Sequence, residues 1–89
     1  MIPSLGRIVH YVFSNGDHRP AIIVRIFDEN PTERSYVQLQ VFVDGSNDSH
    51  LLDHQDKAIS PSPNVVWRTS VLQDAADKAP GTWHEPERA

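Results

Sequence analysis

The chain has 89 residues, no cysteine and a formal net charge of −4 at pH 7. A domain of this size buries only roughly 60–65% of the surface that its unfolded chain exposes, and without cysteine it has neither a disulfide nor a thiolate zinc ligand to reinforce a thin core. The acidic balance argues against duplex nucleic acid as a ligand, and no apolar run or leader-like segment indicates a membrane span or a secretory signal. We therefore expect a single intracellular domain over 1–89, stabilised by barrel closure or by self-association.

Four stretches rich in β-branched and aromatic residues predict strands, because none of them shows a helical period. They are Gly6 to Phe13, Arg19 to Phe27, Tyr36 to Val43 and Val65 to Val71. The third stretch alternates strictly: Val37, Leu39, Val41 and Val43 share one face, and Tyr36, Gln38, Gln40 and Phe42 share the other. One of these faces meets the core, and the other meets solvent or a partner. An Asn-Gly pair at 15–16 predicts a tight turn between the first two strands.

The remaining segments have weaker signals. Residues 44–64 open on Asp-Gly and close on two Ser-Pro steps, and this loop is too long for an ordinary hairpin. The stretch "LQDAADKA" at 72–79 predicts one or two helical turns that Pro80 ends. The tail at 80–89 contains Trp83 and His84, and we expect it to add a short fifth strand or to lie across the end of the barrel. Together the elements predict an all-β fold: a small SH3-like barrel or a strongly curled antiparallel sheet of four to five strands.

No catalytic signature is present in the sequence: it has no phosphate loop, no nucleophile elbow and no HExxH motif. The pair His50 and His54 has a metal-like spacing, but it lies in a polar loop where solvated histidines are the simpler interpretation. We therefore expect a protein that is not an enzyme and that has neither a metal site nor a cofactor.

Several residues are candidates for binding a small ligand. Arg19, Arg25 and Arg68 lie in or beside strands, where each either covers apolar surface or offers a planar fork for a phosphate. Trp67 and Trp83 either pack in the core or stack on a base. Because neighbours on a strand point to opposite sides, Trp67 with Thr69, or Arg68 with Ser70, can serve one pocket within a single chain.

The orientation of the first strand stays open at this point. If Ile8, His10 and Val12 point inward, His10 is a hydrogen-bonded core histidine. If Val9, Tyr11 and Phe13 point inward, His10 faces outward and can meet a ligand. The candidate ligand-binding residues are His10, Tyr11, Arg19, Trp67, Arg68, Thr69, Trp83 and His84.

The motif "GRIVHY" at the start and "PGTWHEPE" near the end resemble the two end motifs of a group of short proteins encoded by bacteriophages and prophages. The resemblance covers most of the chain outside residues 46–63. Glu85 stands where the group more often has an aromatic residue. The resemblance implies a phage origin and a place in the cytoplasm of the host bacterium, and it implies no particular activity.

Two hypotheses for function fit these features. The first is an anti-defence protein that binds and sequesters a nucleotide-derived immune signal of the host without cleaving it. Sequestration requires nanomolar affinity, about −12 kcal/mol, so we expect a homo-oligomer with enclosed sites near subunit interfaces. The alternative is an SH3-like interaction module that covers a host protein or serves as a virion accessory.

Overall fold

The computed structural model describes residues 1–44, 47–48 and 64–87. Five strands form a closed barrel in the order β1-β2-β3-β4-β5. The strands are β1 (Ile8–Val12), β2 (His18–Ile26), β3 (Val37–Phe42), β4 (Val65–Gln73) and β5 (Thr82–His84). The predicted all-β small barrel is confirmed, and no helix in the described part of the chain is long and apolar enough to cross a membrane.

The first four strands pair as antiparallel neighbours in chain order. The predicted turn joins β1 to β2: Phe13 donates its N–H to Asp17 O, and Gly16 donates to Phe13 O. Gly16 has φ of 90°, a left-handed conformation that glycine adopts without a Cβ penalty. Strand β5 then closes the barrel, because it pairs with β1 in the antiparallel sense and with β4 in the parallel sense.

Alternating inward side chains form the core. Val9 and Tyr11 of β1 belong to the core cluster, so the second orientation of β1 is the one observed. Val37, Leu39, Val41 and Val43, which share one face of the third predicted strand, are also buried. The core consists of Val9, Tyr11, Phe13, Ala21, Ile23, Val37, Leu39, Val41, Val43, Val66, Val71 and Trp83. His10 consequently lies on the outer side of the sheet.

The predicted helical turns at 72–79 are not formed. Leu72 and Gln73 continue β4, where they pair with Thr82 and Trp83 of β5. A turn follows, and the side chain of Asp74 accepts hydrogen bonds from Asp77 N at 3.0 Å and from Ala79 N at 3.2 Å. Parallel pairing and these side-chain bonds replace the backbone bonds that a helix would have made.

These hydrogen bonds predict a pH-dependent contribution of Asp74 to stability. Backbone N–H groups, that of Asp77 first, lower the pKa of Asp74 from its ordinary value of 3.8. A carboxyl with a depressed pKa in the folded state stabilises the fold above its unfolded pKa and loses that contribution as the pH falls through its folded pKa. We expect Asp74→Asn to lower Tm at pH 7, and the difference from wild type to shrink below about pH 4. Melting curves from pH 2.5 to 7 test this, and a difference that is the same at every pH contradicts it.

Candidate functional site

The predicted site residues separate into distinct places on the barrel. Tyr11 and Trp83 point into the core, His10 and His84 meet on the outside, and Arg19 binds a carboxylate. Trp67 and Thr69 lie on the outer face of β4. Arg68 is turned the opposite way from Trp67, so the eight predicted residues do not form one pocket.

Trp83 is fully buried and stands opposite Tyr11 in the β1–β5 pairing. Its indole Nε1 has no hydrogen-bond partner among the described residues. Since no aromatic surface of Trp83 is exposed, this side chain anchors the tail in the core and cannot stack on a base.

Three histidines meet on the outer side of the sheet because of the strand register. His10 on β1 stands directly opposite His84 on β5 and opposite Pro20 on β2. His18 lies two residues before Pro20, so it occupies the diagonal position on the same face, within reach of long side chains. The ring centroids of His18 and His84 are 4.8 Å apart, and those of His10 and His84 are 5.8 Å apart.

The carboxylate of Glu87 joins this group, which we call the histidine cluster: His10, His18, His84 and Glu87. His10 Nδ1 lies 2.8 Å from Glu87 Oε2, and His18 Nδ1 lies 2.7 Å from Oε1. His84 Nε2 also hydrogen-bonds Oε1. The tail therefore folds back so that one carboxylate contacts an imidazole from each of three strands.

Electrostatics in the cluster favour an ionised carboxylate beside a neutral buried ring. Desolvation raises the pKa of Glu87, but the hydrogen bonds with His10, His84 and His18 outweigh it and bring that pKa down to about 2. Burial lowers the pKa of His84, in opposition to the Glu87 carboxylate. His84 is 1% exposed, and its Nδ1 has no partner among the described residues.

Arg19 is engaged within the fold. Its Nε and Nη2 donate to the two carboxylate oxygens of Asp48 at 2.8 and 2.6 Å, and Asp48 also accepts from Asp44 N. The side chain of Asp48 is only 6% exposed. A phosphate could bind this guanidinium only by displacing Asp48. The ion pair links β2 to the segment after β3. The rest of the predicted loop, 45–46 and 49–63, including His50 and His54, lies outside the described residues.

Arg68 covers aromatic side chains. Its guanidinium carbon lies 5.4 Å from the ring centroid of Phe13 and 5.9 Å from that of Tyr11, both within cation–π range. Its Nη1 donates to Trp67 O at 3.0 Å. Arg68 therefore covers apolar surface, one of the two roles that we considered for strand arginines. No carboxylate in the described part of the chain forms an ion pair with it.

The outer face of the central strands collects a different set of groups. Trp67 is 52% exposed and pairs across the sheet with Gln40. Two residues before Gln40 on the same strand, Gln38 pairs with Arg25. Thr69 donates its hydroxyl to Gln38 Oε1 at 2.9 Å. We call Arg25, Gln38, Gln40, Trp67 and Thr69 the outer face.

Sequence reasoning missed His18 and Glu87 in the cluster and the two glutamines of the outer face. His18 follows the turn closely enough for its diagonal relation to His10 to be inferred once the hairpin is accepted. Glu87 has no comparable signal, because its position depends on how the tail returns over β1. Comparison of the chain with protein-family models, with curated proteins and with solved structures finds no match.

Proposed function

We propose that the protein is a non-enzymatic phage protein that sequesters a nucleotide-derived immune signal of the host on its outer face. One observation carries this proposal: an exposed indole, two amides, a hydroxyl and a guanidinium share one side of β2, β3 and β4. These are the groups that stacking on a base, reading its edge and holding a phosphate require.

The spacing of the outer face suits a nucleotide. Trp67 and Arg25 lie on strands separated by β3, so two strand spacings, about 10 Å, separate them across the sheet. Sugar and phosphate can bridge that distance from a base stacked on the indole. Gln38 and Gln40 lie between them, and an amide offers both a donor and an acceptor to a base edge.

Arg25 is also available to an anion. Its guanidinium carbon lies 5.5 Å over the ring of Phe27, and no carboxylate in the described ranges forms an ion pair with it. A cation held over an aromatic ring keeps its outward donors for a ligand. This moves the proposed phosphate contact to Arg25. The two arginines predicted for that role are otherwise engaged, because Arg19 binds Asp48 and Arg68 lies over Phe13 and Tyr11.

The outer face is open, whereas tight small-molecule sites enclose most of the ligand. The proposal therefore includes a homo-oligomer in which a second copy covers the ligand. Bound ligand and a second protomer would together shield the exposed indole, which explains why so large an apolar group lies outside the core.

The first experiment incubates the protein with a mixture of cyclic di- and trinucleotides and ADP-ribose derivatives. After desalting, heat releases what was retained, and mass spectrometry identifies it. We expect one intact nucleotide from wild type and from the charge-matched control Arg34→Ala, and at least tenfold less from Arg25→Ala and Trp67→Ala. A modified product would show an enzyme, and no retained nucleotide would overturn sequestration of these signals.

A second candidate function is an interaction module, favoured by apolar groups that continue the same side of the barrel. Phe42 and Val65 are cross-strand partners and are each 41% exposed, beside Trp67. A host or virion protein with a complementary apolar patch would cover them. In this case Phe42→Ser abolishes capture of that protein, whereas Arg25→Ala and added nucleotides leave it unchanged.

A further inference from the structure

The histidine cluster brings together four groups that can ligate a metal ion, and none of them belongs to the outer face. The facing nitrogens of His10, His18 and His84 and a carboxylate oxygen of Glu87 all lie within 4.8 Å of one another. We propose that these four residues bind a single divalent transition-metal ion of the zinc class, which fastens the tail to the barrel.

The geometry requires only small side-chain movements to accept an ion. Zinc bonds to imidazole nitrogen at about 2.0–2.1 Å in a tetrahedral arrangement, which places neighbouring donor atoms about 3.3 Å apart. The cluster is somewhat wider than this. Because the carboxylate now lies between the imidazoles, a modest rotation of Glu87 away from the centre makes room for the ion and retains one oxygen as a ligand.

The positions of the histidines are set by rigid elements. His10 and His84 are a directly opposed pair, and His18 occupies the diagonal position on the adjacent strand. Ligands on paired strands hold their spacing better than ligands on loops, and this preorganises the site. Only Glu87 comes from the tail, three residues beyond His84.

The donor set selects the class of metal. Three imidazoles and one carboxylate are poorly suited to calcium and magnesium, which prefer oxygen ligands, and they lack the thiolates that select copper(I) or iron–sulfur clusters. Imidazole with one carboxylate is typical of zinc and its neighbours. Four protein ligands also close the coordination sphere, which is the arrangement of a structural site.

A metal ion would also reinforce the fold at this point. His84 is buried, and its Nε2 faces His10, His18 and Glu87. A metal bond at Nε2 therefore gives this buried ring a strong partner on the side that faces the cluster. It also joins β1, β2 and β5 at one point, the kind of reinforcement that a small domain without disulfides requires. This departs from the expectation of no metal site.

The test uses tag-free protein treated with a chelator and then titrated with Zn²⁺ alone by calorimetry. We expect one equivalent to bind saturably and to raise Tm. Titration with Co²⁺ gives a separate readout, because four-coordinate cobalt has visible absorption bands that the hexaaqua ion shows only weakly. The variants His18→Ala and Glu87→Gln remove partly exposed ligands and leave the core intact, and each lowers the Zn²⁺ affinity at least tenfold.

The matched control replaces the remaining two histidines of the chain, as His50→Ala with His54→Ala. This double variant keeps one equivalent of Zn²⁺ and the cobalt spectrum. The proposal is overturned if wild type binds no Zn²⁺ saturably, if binding is lost in the control, or if it survives in His18→Ala and Glu87→Gln. Because none of these readouts involves nucleotides, they are independent of the proposed function.

Discussion

Replacing Trp83 with alanine lowers the free energy of unfolding by about 3–5 kcal/mol, the range for removing a large buried aromatic side chain. Trp83 is fully enclosed in the core and belongs to the strand that closes the barrel. Total stability for a chain of 89 residues is about 4–13 kcal/mol at typical values per residue. Urea and thermal unfolding followed by circular dichroism should therefore show a largely unfolded or strongly destabilised variant.

The same substitution at the other tryptophan is the control. Trp67 is 52% exposed, so Trp67→Ala removes less buried surface, and we expect a loss of about 1 kcal/mol. The contrast separates the two roles: Trp83 stabilises the fold, and Trp67 is the proposed ligand contact. Equal losses from both substitutions would contradict the assignment of Trp83 as the anchor.

Asp48→Ala lowers the free energy of unfolding by about 1–3 kcal/mol, between the values for exposed pairs and for buried pairs that lose one partner. The variant leaves the Arg19 guanidinium without its bidentate partner and Asp44 N without its acceptor. The estimate lies below the fully buried range because the Arg19 side chain is 28% exposed. Urea unfolding of the variant measures the loss.

A double-mutant cycle with Arg19→Ala isolates the pair, since the coupling energy excludes effects that each residue has alone. Asp17→Ala is the matched control: its carboxylate lies 3.8 Å from Arg19 Nη2 and its side chain is 45% exposed. We expect a coupling of at least about 1 kcal/mol for Arg19 with Asp48 and less than about 0.5 kcal/mol for Arg19 with Asp17. Equal couplings would show that the bidentate geometry does not matter.

The fold could be predicted from the sequence where local pattern decides it. The alternation of Val37, Leu39 and Val41 groups them on one face of β3, which the structure shows to be the buried face, and Asn15 with Gly16 identifies the first turn. The prediction of helical turns at 72–79 was wrong. The helix propensity of these residues is overridden because the start of the stretch pairs with β5, a strand that follows in the chain. Propensity is a weak guide wherever tertiary contacts decide.

The candidate sites could be predicted only in part, because register and bulges decide which side chains meet. On β4 the pairing shifts between the partners of Val37 and Leu39, and Ser70 has φ of 55°. This irregularity puts Trp67 outside and Val71 inside although both have the same parity. Nothing in the local residue pattern marks such a bulge. The contact of His10 with Glu87, 77 positions away in the chain, likewise depends on how β5 returns to β1.

The order of pairing around the barrel has a consequence for synthesis on the ribosome. Strand β5 is the last of the five to be made, yet it covers the free edges of both β1 and β4. Until residues 82–84 leave the exit tunnel, the nascent sheet stays open with two unpaired edges, which are sites of aberrant strand pairing. We infer that this barrel closes late and by long-range contacts, so its folding is slow compared with that of a helical protein of equal length.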